Sequence, residues 1–96
     1  MPNYWQRFRT IVLDPRAQLF VDENSATGAR FNEHWDGIVW LLCRTPNISI
    51  PRSRQEPKRF LLLVSEGAGF AGTRDVWILY SYDDQEVVVH GVSFGT

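Results

Sequence analysis

Two apolar runs near the C-terminus constrain this chain more than any other feature. Val76-Trp77-Ile78-Leu79-Tyr80-Ser81-Tyr82 and Glu86 to Phe94 are separated only by Asp83-Asp84-Gln85. Both runs are rich in β-branched and aromatic residues. The acidic connection is turn chemistry rather than a carboxylate dyad, so the pair predicts a β-hairpin. Neither run alternates cleanly between apolar and polar residues, and a sheet built from strands that are apolar on both faces needs cover on each side. A helix can supply one cover. A binding partner is one answer for the other.

The rest of the chain supplies the remaining elements. Phe60 to Val64 is an apolar run of strand length, followed by the glycine-rich stretch Glu66 to Thr73. Tyr4 to Leu13, ending in Ile11-Val12-Leu13, predicts a first strand stopped by Asp14-Pro15. Arg16 to Val21 fits a short helix or an extended piece. Residues 22–28, Asp-Glu-Asn-Ser-Ala-Thr-Gly, read as a turn in which Asn24 or Ser25 is placed to cap a following helix. That helix has the clearest signal. Phe31, Trp35, Ile38, Val39 and Leu42 fall on one stripe of a 3.6-residue period. Gly37 costs it about 1 kcal/mol relative to Ala, against roughly 1.5–3 kcal/mol for each large apolar residue buried. Pro46 ends the helix, and residues 47–59 are loop-like. The expected order is strand, helical region, then three strands. This is an α+β fold, with helices packed on one face of a small, mainly antiparallel sheet, in one domain over residues 1–96.

Composition agrees with a single core. In 96 residues, 44% apolar and 14% aromatic with four Trp, there is enough to bury but no room for a second domain. The net charge of −1 lacks the basic excess usual in proteins that grip nucleic acid phosphates. The one cysteine, Cys43, has no internal partner and fits a reducing compartment. No apolar run of about 18 residues is present, and MPNYWQRFRT does not read as a signal peptide, so a cytoplasmic protein without a membrane partner is expected.

Several motifs suggest chemistry, each with a plainer reading beside it. Gly67-Ala68-Gly69-Phe70-Ala71-Gly72 matches G-x-G-x-x-G after a strand. A dinucleotide site needs a helix to follow, and Thr73-Arg74-Asp75 leads into a strand instead, so no cofactor is expected. Arg52, Arg54, Lys58 and Arg59 crowd one loop with Glu56. They are candidates for phosphate or nucleic-acid contact, against the plainer reading of a solvated loop. His34 and His90 have no partners at ligand spacing, so no metal site is expected. His90 lies in alternating register with Val88, Val92 and Phe94, which suits packing or a partner better than catalysis. Cys43 has no identifiable base nearby. Trp40 lies off the main helix stripe, and together with Trp77 it is the candidate anchor for a protein interface.

The segment from Val76 to Val89 resembles the penultimate hairpin of the RelE/ParE superfamily of type II toxin–antitoxin systems. In that family an apolar strand with an inner Tyr turns through acidic residues into Val-Val-Val. The helix ending Trp40-Leu41-Leu42-Cys43-Arg44-Thr45-Pro46 is similar to the helix that closes at a proline before a basic loop. The likeness covers residues 30–94 and implies an α+β toxin-like domain neutralised by a cognate antitoxin. For the ribonuclease branch, which acts at the ribosome, it further implies Lys residues in the second strand, an Arg in the third, and an Arg and Tyr beyond the fourth. Here the second-strand positions fall in Phe60 to Val64, all apolar, the third near Trp77, and Ser93-Phe94-Gly95-Thr96 carries no basic residue. Losing several such groups removes many orders of magnitude of rate, since one alone supplies about 10²–10³. The ParE branch, which targets DNA gyrase without nuclease residues, is the better expectation. The alternatives are a ribonuclease using Arg59, Arg74, His90 and Tyr82, chosen on chemistry alone, and a non-toxic interaction module such as a homodimer.

Overall fold

The computed structural model describes residues 9–26, 29–51, 61–67 and 74–95. Its elements are β1 (Thr10–Leu13), α1 (Pro15–Ser25), α2 (Ala29–Arg44), a single 3-10 turn (Pro46–Ile48), β2 (Ile50–Pro51), β3 (Leu61–Ser65), β4 (Val76–Tyr82) and β5 (Glu86–Phe94). The architecture is α+β, as the apolar patterning predicts.

Asp14-Pro15 stops the first strand and also starts a helix. The Asp14 carboxylate accepts from the Ala17 amide at 2.9 Å, and Pro15 stands in the first helical turn, where its missing N–H costs nothing. The helix runs on to Ser25, so the turn expected over residues 22–28 is helical at Asp22–Ser25. Gln18 Nε2 donates to Asp22 Oδ1 at 2.8 Å, one turn apart, which holds this polar stretch in the helix. Asn24 and Ser25 belong to α1 and stand at least four residues before the first residue of α2, so neither occupies its N-cap position. The Asn24 side chain donates back to the Phe20 carbonyl at 2.8 Å, and the Ser25 carbonyl accepts from Asn32 Nδ2 at 3.4 Å.

The five strands form one sheet in the order β1-β5-β4-β3-β2. β1 runs parallel to β5, with Thr10 opposite Glu86 and Leu13 opposite Val89, and the other pairings are antiparallel. The Asp83 carboxylate caps the β4–β5 turn by accepting from the amides of Gln85 (2.7 Å) and Glu86 (2.8 Å), so the acidic pair is indeed turn chemistry. Arg9 straps this end, its Nε donating to the Asp83 carbonyl at 2.6 Å.

Both helices lie on one face of the sheet. Ala17 and Val21 of α1 and Trp35, Ile38 and Leu42 of α2 form one buried cluster with Leu61, Val76, Ile78, Tyr80, Val87 and Val89. At one end Phe94 meets Phe20 edge-on at 5.0 Å and Phe31 at 6.1 Å, while Phe31 stacks on Trp35. At the other end, Tyr80 Oη donates to the Pro46 carbonyl and lies 2.7 Å from Ser49 Oγ, which ties the chain beyond α2 to the middle of the sheet.

A β-bulge corrects the expected phase of the last strand. Leu79 pairs with Gly91 and Tyr80 with Val89, leaving His90 as the extra residue. Val87 and Val89 face the helices before the bulge, and Val92 and Phe94 pack there after it. His90 therefore does not share a face with Val92 and Phe94. Strict alternation, read straight through, gave the wrong side because one residue is unpaired.

Candidate functional site

Among the described residues no element covers the face of the sheet turned away from the helices, and that face is largely apolar. On β3 and β4, Leu61, Ile78 and Tyr80 point into the core, so Leu62, Val64, Trp77 and Leu79 stand on the opposite side. Val12 of β1 and Val88 of β5 extend this surface. Val12, Val64 and Trp77 are 41%, 44% and 42% exposed, an unusual amount of open surface for large apolar side chains in paired strands. A shallow groove of about 220 Å³ runs between Leu62, Trp77, Leu79 and Ser93.

Trp77 is held at the groove by the backbone beyond β5. Gly95 is buried against it, so close that a Cβ on Gly95 would stand 2.2 Å from the indole Nε1. The Gly95 amide donates to the Asp75 carbonyl at 2.7 Å, fixing that approach. Any larger residue here would displace the indole, so glycine allows this close approach. His90 adds the polar element of this face, its Nε2 2.8 Å from Ser81 Oγ.

Trp40, the other aromatic anchor expected from sequence, is 56% exposed on the outside of α2. The Arg44 guanidinium, one turn on, lies 3.9 Å from its ring centroid. The two tryptophans thus present different surfaces, and they do not build a joint site.

The catalytic set chosen on chemistry is not gathered either. Arg74 precedes β4 and its guanidinium lies 4.6 Å from the Phe94 ring centroid, at the aromatic end of the core. Tyr82 closes that strand, roughly 20 Å from its first residue Val76 at about 3.3 Å per residue, beneath Arg9. His90 lies on the opposite face of the sheet. Arg59, and with it Arg52, Arg54 and Lys58, lies outside the described residues, as do Gly69 and Gly72 of the glycine-rich stretch. Gly67 is described; its amide donates to Asp75 Oδ1 at 3.0 Å. Cys43 is half-buried, and burial raises its thiol pKa, with Arg44 opposing the shift; this suits a packed thiol better than a reactive one.

A second polar arrangement escaped the sequence reading. His34, only 6% exposed, sits between α2 and the end of β3 with its Nε2 2.7 Å from Ser65 Oγ. Burial pushes the imidazole pKa below its usual value, and the Asp75 carboxylate partly opposes this. His34 and Ser65 border a cavity of about 170 Å³ that also touches Glu33, Gly37, Ile38 and Glu66. The signal was present: His34 is one turn from both Phe31 and Ile38, on the buried stripe. Its serine partner, 31 residues away, could not be found by spacing.

Among the described residues no group of three His, Cys, Asp or Glu side chains is placed to hold a metal ion, and no helix is long and apolar enough to cross a membrane. No known protein family, curated protein or solved structure matches the chain.

Proposed function

We propose that this chain is a toxin, or a toxin-derived domain, of the RelE/ParE type. It acts in the cytoplasm by binding a protein through the open face of its sheet, and a cognate antitoxin neutralises it. The observation that carries this reading is the exposure of Val12, Val64 and Trp77 on one face of the sheet, with Leu62 and Leu79 part-buried between them. At the strand positions where the resemblance implies charged groups in the ribonuclease branch, this chain presents apolar side chains. Such a surface suits a hydrophobic partner better than a phosphate backbone. The order strand, two helices, then antiparallel strands agrees with the resemblance carried by Val76 to Val89. The ParE-like branch is favoured over the nuclease because Arg74, Tyr82 and His90 are dispersed.

Induction of the chain alone and together with the product of the neighbouring reading frame tests this proposal. The expected result is growth arrest with the chain alone, relief on co-expression, and a stable complex of the two products. DNA gyrase is the first target for pull-down and supercoiling assays, and the ribosome the second. A soluble, folded chain that neither slows growth nor binds its neighbour's product overturns it. In that case a mass measurement in solution distinguishes a homodimeric interaction module.

A further inference from the structure

We propose that Ser65 and His34, with Asp75 as positioning residue, form an acyl-transfer site that hydrolyses small carboxylic esters carrying no negative charge. The proposal is independent of the toxin reading. It starts from Ser65 Oγ and His34 Nε2, 2.7 Å apart at the wall of the 170 Å³ cavity. With Nε2 as the acceptor, the serine hydroxyl donates to a base held neutral by its burial. Asp75 directly precedes Val76, the strand partner of Ser65, so the β3–β4 pairing brings a carboxylate to the same end of the sheet. Its field acts on the imidazole, and the Gly67 amide fixes its orientation at 3.0 Å. A serine hydroxyl hydrogen-bonded to a neutral imidazole, with a carboxylate near enough to act on that ring, is the nucleophile–base core of acyl transfer, whatever the fold that carries it.

Two further features make this a site rather than a packed pair. Gly37 lines the cavity in the middle of α2, and a Cβ there would meet nothing within 4 Å. Packing does not require glycine at that position, and glycine weakens the helix; its effect is to keep the cavity open beside His34. The walls are selective as well. Ile38 and Leu41 supply an apolar side, while Glu33 and Glu66 place carboxylates at the rim, which repel anionic substrates.

The chemistry balances with water as the only co-reactant. As Ser65 Oγ bonds to the ester carbonyl carbon, its proton passes to His34 Nε2. The C–O bond to the leaving alcohol then breaks, and the alcohol takes that proton. Water attacks the acyl-serine in the same manner, giving its proton to Nε2. The Oγ–acyl bond breaks, the acid leaves, and the serine hydroxyl is restored.

A fluorophosphonate reagent and p-nitrophenyl acetate test the site on the full chain. One adduct is expected, mapped to Ser65 by peptide mass, and absent in Ser65→Ala. His34→Gln should slow both labelling and ester turnover about a hundredfold, the usual contribution of a general base. Asp75→Asn should move the acid limb of the pH–rate profile to lower pH, because the carboxylate raises the imidazole pKa. Gly37→Leu should block labelling with the thermal transition intact, which separates loss of the site from loss of the fold. The p-nitrophenyl ester of succinic acid, which is anionic, should turn over more slowly than the acetate. An unlabelled wild-type protein, a label elsewhere, or Gly37→Leu reacting as fast as wild type overturns the proposal.

Discussion

The phenol of Tyr80 and the carbonyl of Pro46, 34 residues apart in sequence, are joined by a buried hydrogen bond that ties the chain beyond α2 to the centre of the sheet. The same hydroxyl lies 2.7 Å from Ser49 Oγ. Tyr80→Phe keeps the shape of the side chain and removes the hydroxyl from both contacts. Denaturant unfolding should show a loss of about 0.5–1.5 kcal/mol, the net worth of a buried hydrogen bond. Burial raises the Tyr80 pKa above its ordinary 10.0. Its contribution is therefore complete below that value and declines as pH rises through the raised one, a decline that Tyr80→Phe removes.

His34 gives the opposite dependence at the acid side. The folded protein binds a proton at this ring less readily than the unfolded chain, because burial depresses its pKa from 6.5. Stability therefore rises with pH through this region and falls as pH drops below the ordinary value. Urea midpoints should decrease from about pH 7.5 to about pH 5.5, and His34→Gln should flatten that slope. An unchanged slope in the variant would assign it to other groups.

Asp14 marks where β1 gives way to α1. Asp14→Ala removes the acceptor for the Ala17 amide and should cost about 1 kcal/mol in thermal or urea unfolding, whereas Asp14→Ser should recover most of it.

Val64 separates stability from recognition. Its side chain points away from the core and is 44% exposed, so Val64→Lys should change folding stability by no more than about 1 kcal/mol. If the open face receives the partner, the same change should weaken binding at least about tenfold in titration calorimetry, since a charge in a dry interface must be desolvated. Normal binding by Val64→Lys would move the interface elsewhere, with Trp40 and Arg44 the next surface to mutate.

What could be read from residues alone follows a physical division. Val76 to Tyr82, the acidic turn, Glu86 to Phe94 and the stripe from Phe31 to Leu42 were legible because local propensity and burial point the same way in each. Asp22-Glu23-Asn24-Ser25 misled because these residues favour turns until a capped helix is already running into them from Asp14-Pro15. His90 was put in the wrong phase because a bulge leaves no trace in an alternating pattern. Strands apolar on both sides called for cover on each face; the helices cover one, while Val12, Val64 and Trp77 stay exposed on the other. The meeting of His34 with Ser65 depends on α2 crossing the end of β3, a tertiary relationship that residue spacing does not encode.

The pairing of β1 with β5 also governs when this fold can exist. Thr10 and Glu86 are neighbours across the sheet but 76 positions apart along the chain. During synthesis β1 must wait for almost everything after it, its apolar side chains unpaired, until β5 has emerged from the ribosome. Closure comes as a late, long-range event, which slows folding and lengthens the time for which other proteins can capture the nascent chain.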